Sequence, residues 1–368
     1  MKIAILADPL DNQRAGVHVF TKELIDAIID LGKGNQILLI REKIDEKLDV
    51  QQIAVPNIHL PIGFASLRLF FIIPFILRKY KVDAVFEPAH FGPFNLPKKI
   101  KRITMIHDLT PILLPQYHRW HSQILQRVFL KSILKNTNWI LTNSKHTERD
   151  VKKVFPFTLS KTSYIHLGKH HSFKPTVQPA RLEELGIKTP YFIYVGTIEP
   201  RKNLLTLLQS FKTFCSKINT SDASLVIVGQ LGWKSEAFKE ALDTHPYRGR
   251  IHLTGYVDFS DLPILYSHSI ALIYPSEYEG FGLPIIEAFA CGTQVIAADN
   301  SSLKEIGEGA AIFFETHNAD DLFDKMTLAH NQYKSNPNAR EPLMQHAEKF
   351  SWKKCAESFL EKVADLTE

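Results

Sequence analysis

The 368 residues contain only three cysteines, Cys215, Cys291 and Cys355, and no C-x-x-C pair. That excludes a disulfide framework and fits ordinary buried thiols in a reducing cytoplasm. Long apolar runs are also lacking. The most apolar stretch, Leu69 to Leu77, lies between Arg68 and Arg78 and contains Pro74, so it is too short to span a hydrocarbon core of ~30 Å. It reads as a buried helix, the alternative being a helix that lies on a membrane surface. The run from Met1 meets Asp8 after one short apolar segment, so no secretory signal is expected there. No Arg/Lys stripe repeats along a helix face, and a net charge of +5 is too mild for a nucleic-acid binder. It suits smaller anionic partners such as nucleotides, phosphates or acidic lipid head groups. The G-x-G-x-x-G fingerprint is missing, which argues against a dinucleotide cofactor. No Asp-x-Asp follows a strand, and His118/His121 and His170/His171 lack zinc-spaced partners. No metal or other cofactor is therefore expected.

What is present is a regular alternation. Lys2–Ala7, Ile37–Ile40, Val82–Phe86, Ile103–Ile106 and Trp139–Thr142 read as buried strands. Phe20, Leu24, Ala27, Ile28 and Leu31 recur at helical spacing between the first two. His118–Lys135 reads as a further amphipathic helix, and Ser144 as the N-cap of another. After a loop rich in His, Lys and Pro near 168–180, strands recur at Phe192–Val195, Leu225–Val228, Ile251–Leu253, Ala271–Tyr274, Val295–Ala298 and Ile312–Phe314. Strands alternating with helices imply parallel sheets covered on both faces. The length suits two such doubly wound α/β domains, 1–170 and 178–348. A final helix at about 350–368, with no strand after it, is expected to pack back on the first. Ligands of such sheets bind at the carboxyl ends of strands, so a cleft between two facing domains is the expected seat of chemistry.

Glu279-Gly280-Phe281-Gly282-Leu283-Pro284-Ile285-Ile286-Glu287 is the most informative segment. It follows a strand, its glycines allow close backbone approach to a ligand, and Pro284 suits the first helical position. The N–H groups of Phe281, Gly282 and Leu283 at a helix start make a diphosphate site. Gly196-Thr197-Ile198-Glu199-Pro200-Arg201-Lys202-Asn203 places two cations on another post-strand loop, suited to neutralising that diphosphate. A bare basic turn would look the same in isolation. Gly16 precedes a helix after the first strand, and His107-Asp108 ends the strand Ile103–Ile106. The segments at Gly229-Gln230-Leu231-Gly232-Trp233 and Gly255-Tyr256-Val257 also follow strands and suit backbone contact with a base or ribose.

At these residues the chain resembles the retaining glycosyltransferases of family 4, which have the two-domain GT-B fold. The Glu279-x7-Glu287 segment looks like that family's signature, and Val195 to Asn203 is similar to a subgroup rich in bacterial mannosyl- and surface-polysaccharide transferases. The resemblance implies a nucleotide-sugar donor, a glycan or lipid-linked acceptor, no metal, and net retention at the anomeric carbon. It implies that Glu287 binds ribose hydroxyls, and Glu279 the donor sugar hydroxyls. Phe281, Gly282 and Leu283 would offer N–H groups to sugar and phosphate, and Lys202 would pair with the diphosphate. His107 would touch the sugar, and Gly16 would close the phosphate side. Lys202, Glu279 and His107 are thus the catalytic candidates. Gly16, Thr197, Arg201, Tyr256, Val257, Phe281, Gly282, Leu283 and Glu287 are the donor-binding ones. Two departures stand out: Thr197 replaces an arginine common in the family, with Arg201 a candidate to supply its charge, and Ala15 replaces a glycine before Gly16. The alternatives are a nucleotide-sugar epimerase of the same fold and a non-enzymatic two-lobed sugar-binding protein. A cytoplasmic enzyme is expected, with candidate peripheral contact at the inner membrane face.

Overall fold

The computed structural model describes residues 1–12, 16–32, 34–56, 67–89, 92–117, 129–218, 222–335 and 340–368. The chain divides into two compact units. One comprises Met1–Gly168 and Ser351–Glu368, the other Lys169–Phe350.

The first unit is built on seven parallel strands, β1 (Lys2–Leu6), β2 (Gln36–Arg41), β3 (Gln51–Ala54), β4 (Ala84–Glu87), β5 (Lys101–Ile106), β6 (Trp139–Thr142) and β7 (Thr162–Tyr164). They lie in the order β3-β2-β1-β4-β5-β6-β7. The inner strands are apolar and buried along nearly their whole length, as a parallel sheet covered on both faces requires. The two strands absent from the sequence reading, β3 (QQIA) and β7 (TSY), are the edges of this sheet. An edge strand is only partly covered, so its composition stays polar and its run short.

The helix Gly16–Leu31 buries Phe20, Leu24, Ile25 and Ile28. The last helix, Trp352–Thr367, starts on Ser351, whose hydroxyl accepts from the Lys354 N–H at 3.5 Å. Its Trp352 and Phe359 rings lie 6.1 and 4.8 Å from Phe20 and Phe86. Where the chain leaves the unit, a Cβ on Gly168 would come 2.1 Å from the Trp352 nitrogen, so only glycine lets that helix seat. Ser144 caps the helix Lys145–Val154, accepting from the Thr147 N–H at 3.1 Å. Of the expected helix His118–Lys135, residues 118–128 lie outside the described residues, and Lys131–Lys135 is helical.

The stretch Leu69–Leu77 departs from the buried-helix expectation. A π-helical turn, Arg68–Ile72, leads into an α-helix, Ile73–Lys79. Only one face is covered, by Arg68, Ile73, Pro74 and Leu77. Phe71 and Phe75 stand more than 60% exposed beside exposed Arg78 and Lys79. An apolar run tells how oily a helix is; burial follows the face on which each residue falls. Among the described residues, no helix is long and apolar enough to cross a membrane.

The second unit has six parallel strands, β8 (Tyr191–Val195), β9 (Ser224–Val228), β10 (Ile251–Gly255), β11 (Ala271–Tyr274), β12 (Gln294–Ala298) and β13 (Ile312–Phe314), in the order β10-β9-β8-β11-β12-β13. From β8 the order runs outward to β10 on one side. It then restarts from β8 through β11 to β13 on the other. The order therefore reverses between β8 and β11, where Phe192 pairs with Ala271. Loops leaving neighbouring strands at such a switch point diverge and leave a crevice. All three cysteines are buried thiols, and burial pushes Cys291 and Cys355 up to about 12.

Candidate functional site

The loops that leave β8 and β11 at the switch point carry both informative motifs. After Val195 the chain turns at Gly196, whose φ of 151° lies outside the range side chains favour. The Tyr194 hydroxyl donates to the Thr197 carbonyl at 3.0 Å. A Cβ on Gly229 would lie 2.0 Å from the Gly196 carbonyl oxygen, so glycine at 229 lets the loops after β8 and β9 touch. Ile198 N–H donates to Gln230 O at 2.9 Å, and Gly232 N–H donates to Ile198 O at 2.8 Å. Thus anchored, the segment makes one tight turn, Pro200–Lys202, passes through left-handed Asn203 and enters the helix Leu204–Lys217. Lys202 is buried by this turn.

The loop after β11 is held from two sides. Glu277 N–H donates to Arg201 O at 2.9 Å. From the start of the helix after β12, Ser301–Gly307, the Ser301 hydroxyl accepts from Glu279 N–H at 3.0 Å. The Ser302 hydroxyl donates to the carbonyls of Glu279 and Phe281 at 2.8 and 3.0 Å. Gly282, at φ 104°, then starts the helix Leu283–Ala290, with Pro284 in its second position rather than its first.

These anchors bring Glu199, Arg201, Lys202 and Glu279 into one buried cluster. Lys202 Nζ lies 2.5 Å from Glu279 Oε1 and 3.5 Å from the Tyr274 hydroxyl. Arg201 reaches Glu279 Oε2 at 3.2 Å and Glu199 Oε1 at 2.7 Å, and also donates to the Tyr278 carbonyl. Burial opposes charge on Glu279, but Lys202 and Arg201 outweigh it and hold the carboxyl down at about 2. Glu199 goes the other way: burial raises it despite Arg201 and Lys202. As donor-binding candidates both cations are expected to face a ligand, with Arg201 a candidate for the charge missing at Thr197. In the structure both engage carboxylates instead.

Glu287, the fifth residue of its helix, is set apart from this cluster. Burial pushes its carboxyl up to about 7, partly offset by the Tyr266 hydroxyl, which donates to it at 3.1 Å. Phe281 is buried, with its ring 6.0 Å from Phe350. Thr197 is exposed at the same sheet edge. Tyr256 and Val257 follow β10, two strands from β8, with Tyr256 69% exposed. Gly229 N–H donates to Gly255 O at 2.9 Å and ties that loop to its neighbour.

Two candidates belong to the first unit. His107 follows β5, its Nε2 donating to the Pro88 carbonyl at 2.9 Å and its ring edge-on to Phe20 at 5.0 Å. Burial lowers its pKa against the opposing pull of Pro88 and Asp108, which favours the neutral ring with Nδ1 unprotonated. Gly16 is the exposed first residue of its helix, and a Cβ there would meet nothing within 4 Å. Packing therefore does not require glycine at 16. Ala15 lies outside the described residues. Sequence reasoning missed Glu199, Tyr274, Tyr266 and the Ser301-Ser302 pair as parts of the site. Glu199 had a signal, an acid two residues before Arg201 in a post-strand loop.

Comparison with known proteins bears on what these loops serve. A family model described as "Glycosyl transferases group 1" matches residues 178–350, and one described as "Glycosyltransferase Family 4" matches residues 14–171. The chain is a family 4 glycosyltransferase. It is 29% identical over 291 residues to O-antigen chain mannosyltransferase B of Escherichia coli, covering 76% of this chain and 73% of that protein. It is also 30% identical over 277 residues to the serotype-specific mannosyltransferase WbdA of Escherichia coli. That match covers 70% of this chain but only 33% of WbdA, so this glycosyltransferase spans about a third of that relative's length. A crystal structure of a glycosyltransferase from Rickettsia africae superposes with a TM-score of 0.77 at 19% identity. It covers 100% of this chain and 98% of that one. The two parallel-sheet units are those of the GT-B fold.

Proposed function

We propose that this glycosyltransferase moves mannose, with retention, from a nucleoside-diphosphate donor to a glycan or lipid-linked acceptor in surface-polysaccharide synthesis. GDP-mannose is the preferred donor in this reading and UDP-hexoses come next. The observation that carries it is the Lys202–Glu279 pair at 2.5 Å, at the switch point of β8 and β11 and beside the start of the helix Leu283–Ala290. The mannosyltransferase relatives support the choice of sugar.

In this mechanism the donor diphosphate sits on the N–H groups around Gly282 and Leu283, and Lys202 turns to it as charge builds on the leaving phosphate. Glu279 orients the sugar hydroxyls, and Glu287 accepts from the ribose. The leaving phosphate takes the acceptor's proton on the same face. No epimerisation of the nucleotide sugar is expected in the absence of an acceptor, which sets this reading apart from an epimerase. Thermal stabilisation and slow donor hydrolysis across a nucleotide-sugar panel test it. Stabilisation by NAD alone, with every nucleotide sugar inert, would sink it.

The same reading makes the reaction metal-independent, because cations on the protein neutralise the diphosphate. Activity is expected to survive excess EDTA; a loss restored by manganese or magnesium would refute the assignment. The exposed Phe71 and Phe75 with Arg78 and Lys79, together with exposed Lys98 and Lys99, support peripheral contact with an anionic inner-membrane surface. Each basic residue near such a surface contributes roughly 1 kcal/mol. Flotation with anionic liposomes should retain the protein at low salt, and Phe71→Ser with Phe75→Ser should release it.

A further inference from the structure

Glu199, Arg201, Lys202 and Glu279 form a cluster of two acids and two bases whose side chains are 3% to 12% exposed. A site for a multiply anionic diphosphate gains nothing from a formally neutral ion cluster unless the acids have tasks of their own. Arg201 shows what those tasks are. One arm of its planar fork is held on Glu199 at 2.7 Å, the other on Glu279 at 3.2 Å and on the Tyr278 carbonyl. A guanidinium held on two sides by buried carboxylates is fixed in place.

We propose that Arg201, anchored by Glu199, is a positioning residue that stays on Glu279 and so releases Lys202 to the donor diphosphate. The proposal rests on the nucleotide-sugar reading above. When Lys202 swings to the phosphate, Glu279 loses its partner at 2.5 Å. A buried carboxylate left without a counter-charge is strongly unfavourable. Arg201, on the opposite carboxylate oxygen, keeps Glu279 paired, so Lys202 can leave. Glu199 in turn keeps Arg201 from following the phosphate. Arg201 thus raises donor affinity without touching the donor. It does not replace the arginine missing at Thr197.

The test is calorimetric binding of GDP alone to the full chain. GDP lacks the transferred sugar, so Glu279 has no donor-sugar hydroxyls to hold and acts only through Lys202. Glu279→Gln alone should tighten GDP binding, because Lys202 is no longer held. Arg201→Gln should weaken it about tenfold, because Glu279 then keeps Lys202. The double variant Arg201→Gln/Glu279→Gln should recover wild-type affinity or better. A double variant as weak as Arg201→Gln would mean that Arg201 touches the phosphate or merely supports the fold, and would overturn the proposal. Arg201→Lys, which keeps the charge with one arm, should lose less; if Arg201→Gln does not fold, reversal of the Arg201→Lys loss by Glu279→Gln decides. A wild-type chain that binds neither GDP nor UDP refutes the nucleotide-sugar reading and this inference with it. Binding without reversal refutes this inference alone.

Discussion

The two units handle buried charge differently. In the first, among the described residues, three acids, Asp8, Asp11 and Glu87, each have an arginine of their own. Asp8 holds Arg68 through two bonds of 2.6 and 2.7 Å. Asp11 holds Arg41 at 2.7 and 3.2 Å, and accepts the Glu42 N–H at 3.0 Å. Glu87 holds Arg102 at 2.9 Å and accepts from Thr104 and from the Gly92 N–H. In the second unit, one carboxylate, Glu279, is shared by two cations, and one of those cations by two acids. A one-to-one pair saturated by backbone donors holds loops in place. A shared cluster holds charges that can change partners when an anion arrives.

Breaking a lock should therefore cost stability, and breaking the cluster should cost chemistry. The largest effect is expected for Arg102→Ala. It leaves Glu87 buried without its cation, and losing one partner of a buried pair costs about 3–5 kcal/mol. Urea unfolding followed by a first-unit probe such as Trp139 should show it. The loss should shrink in acid, because burial already pushes Glu87 up to about 7, and without Arg102 it takes a proton more readily. A variant as stable as the wild type at pH 8 would erase the distinction between the units.

Lys202→Ala should leave the fold intact by circular dichroism and lower kcat by about 10²–10³, the effect of removing one preorganised electrostatic donor. Its influence is greater on the transition state than on bound donor. Normal turnover with unchanged KM would remove the central piece of the mechanism. Glu287→Ala should mainly raise donor KM, because ribose contacts change little along the reaction. A matching fall in kcat would place Glu287 among the reacting groups.

The smallest effect sharpens the contrast through pH. Glu287 has its folded value raised to about 7 from the ordinary 4.5. Its ionisation therefore costs stability, a cost absent below the ordinary value and complete above about 7. Glu287→Gln should raise stability relative to wild type by ~1 kcal/mol or more at pH 8 and change little at pH 4. Donor nucleotide whose hydroxyls bond this carboxylate should also release a proton on binding just below pH 7. Calorimetry in buffers of different ionisation enthalpy should detect that release, and Glu287→Gln should abolish it.

The inner strands are legible because strands covered on both faces read as apolar runs, as in the Ala84-Val85-Phe86 and Leu225-Val226-Ile227-Val228 segments of β4 and β9. The edges β3 and β7 are not, since partial cover leaves no such mark. The stretch Leu69–Leu77 reads as a buried helix, or one on a membrane surface, from its oiliness; its exposed phenylalanines follow from which face the sheet covers. At the site, glycine spacing and the post-strand position picked out the two loops. The pairing of their charges was hidden, because it joins residues 77 apart through the order of β8 and β11. Tyr256 and Val257 showed nothing beyond their place after a strand, and in the structure they remain at the exposed edge.

The seating of Trp352–Thr367 on the first unit sets an order of events during synthesis. The chain leaves that unit at Gly168 and re-enters it at Ser351, so the second unit is an insertion within the first. As a ribosome emits the chain, Met1–Gly168 appears earliest yet still lacks the helix that covers Phe20 and Phe86. The inserted unit has all its strands and can close first, in keeping with domains folding as units during translation. The half made first is thus completed last, and its uncovered apolar face is the surface a chaperone would have to shield meanwhile.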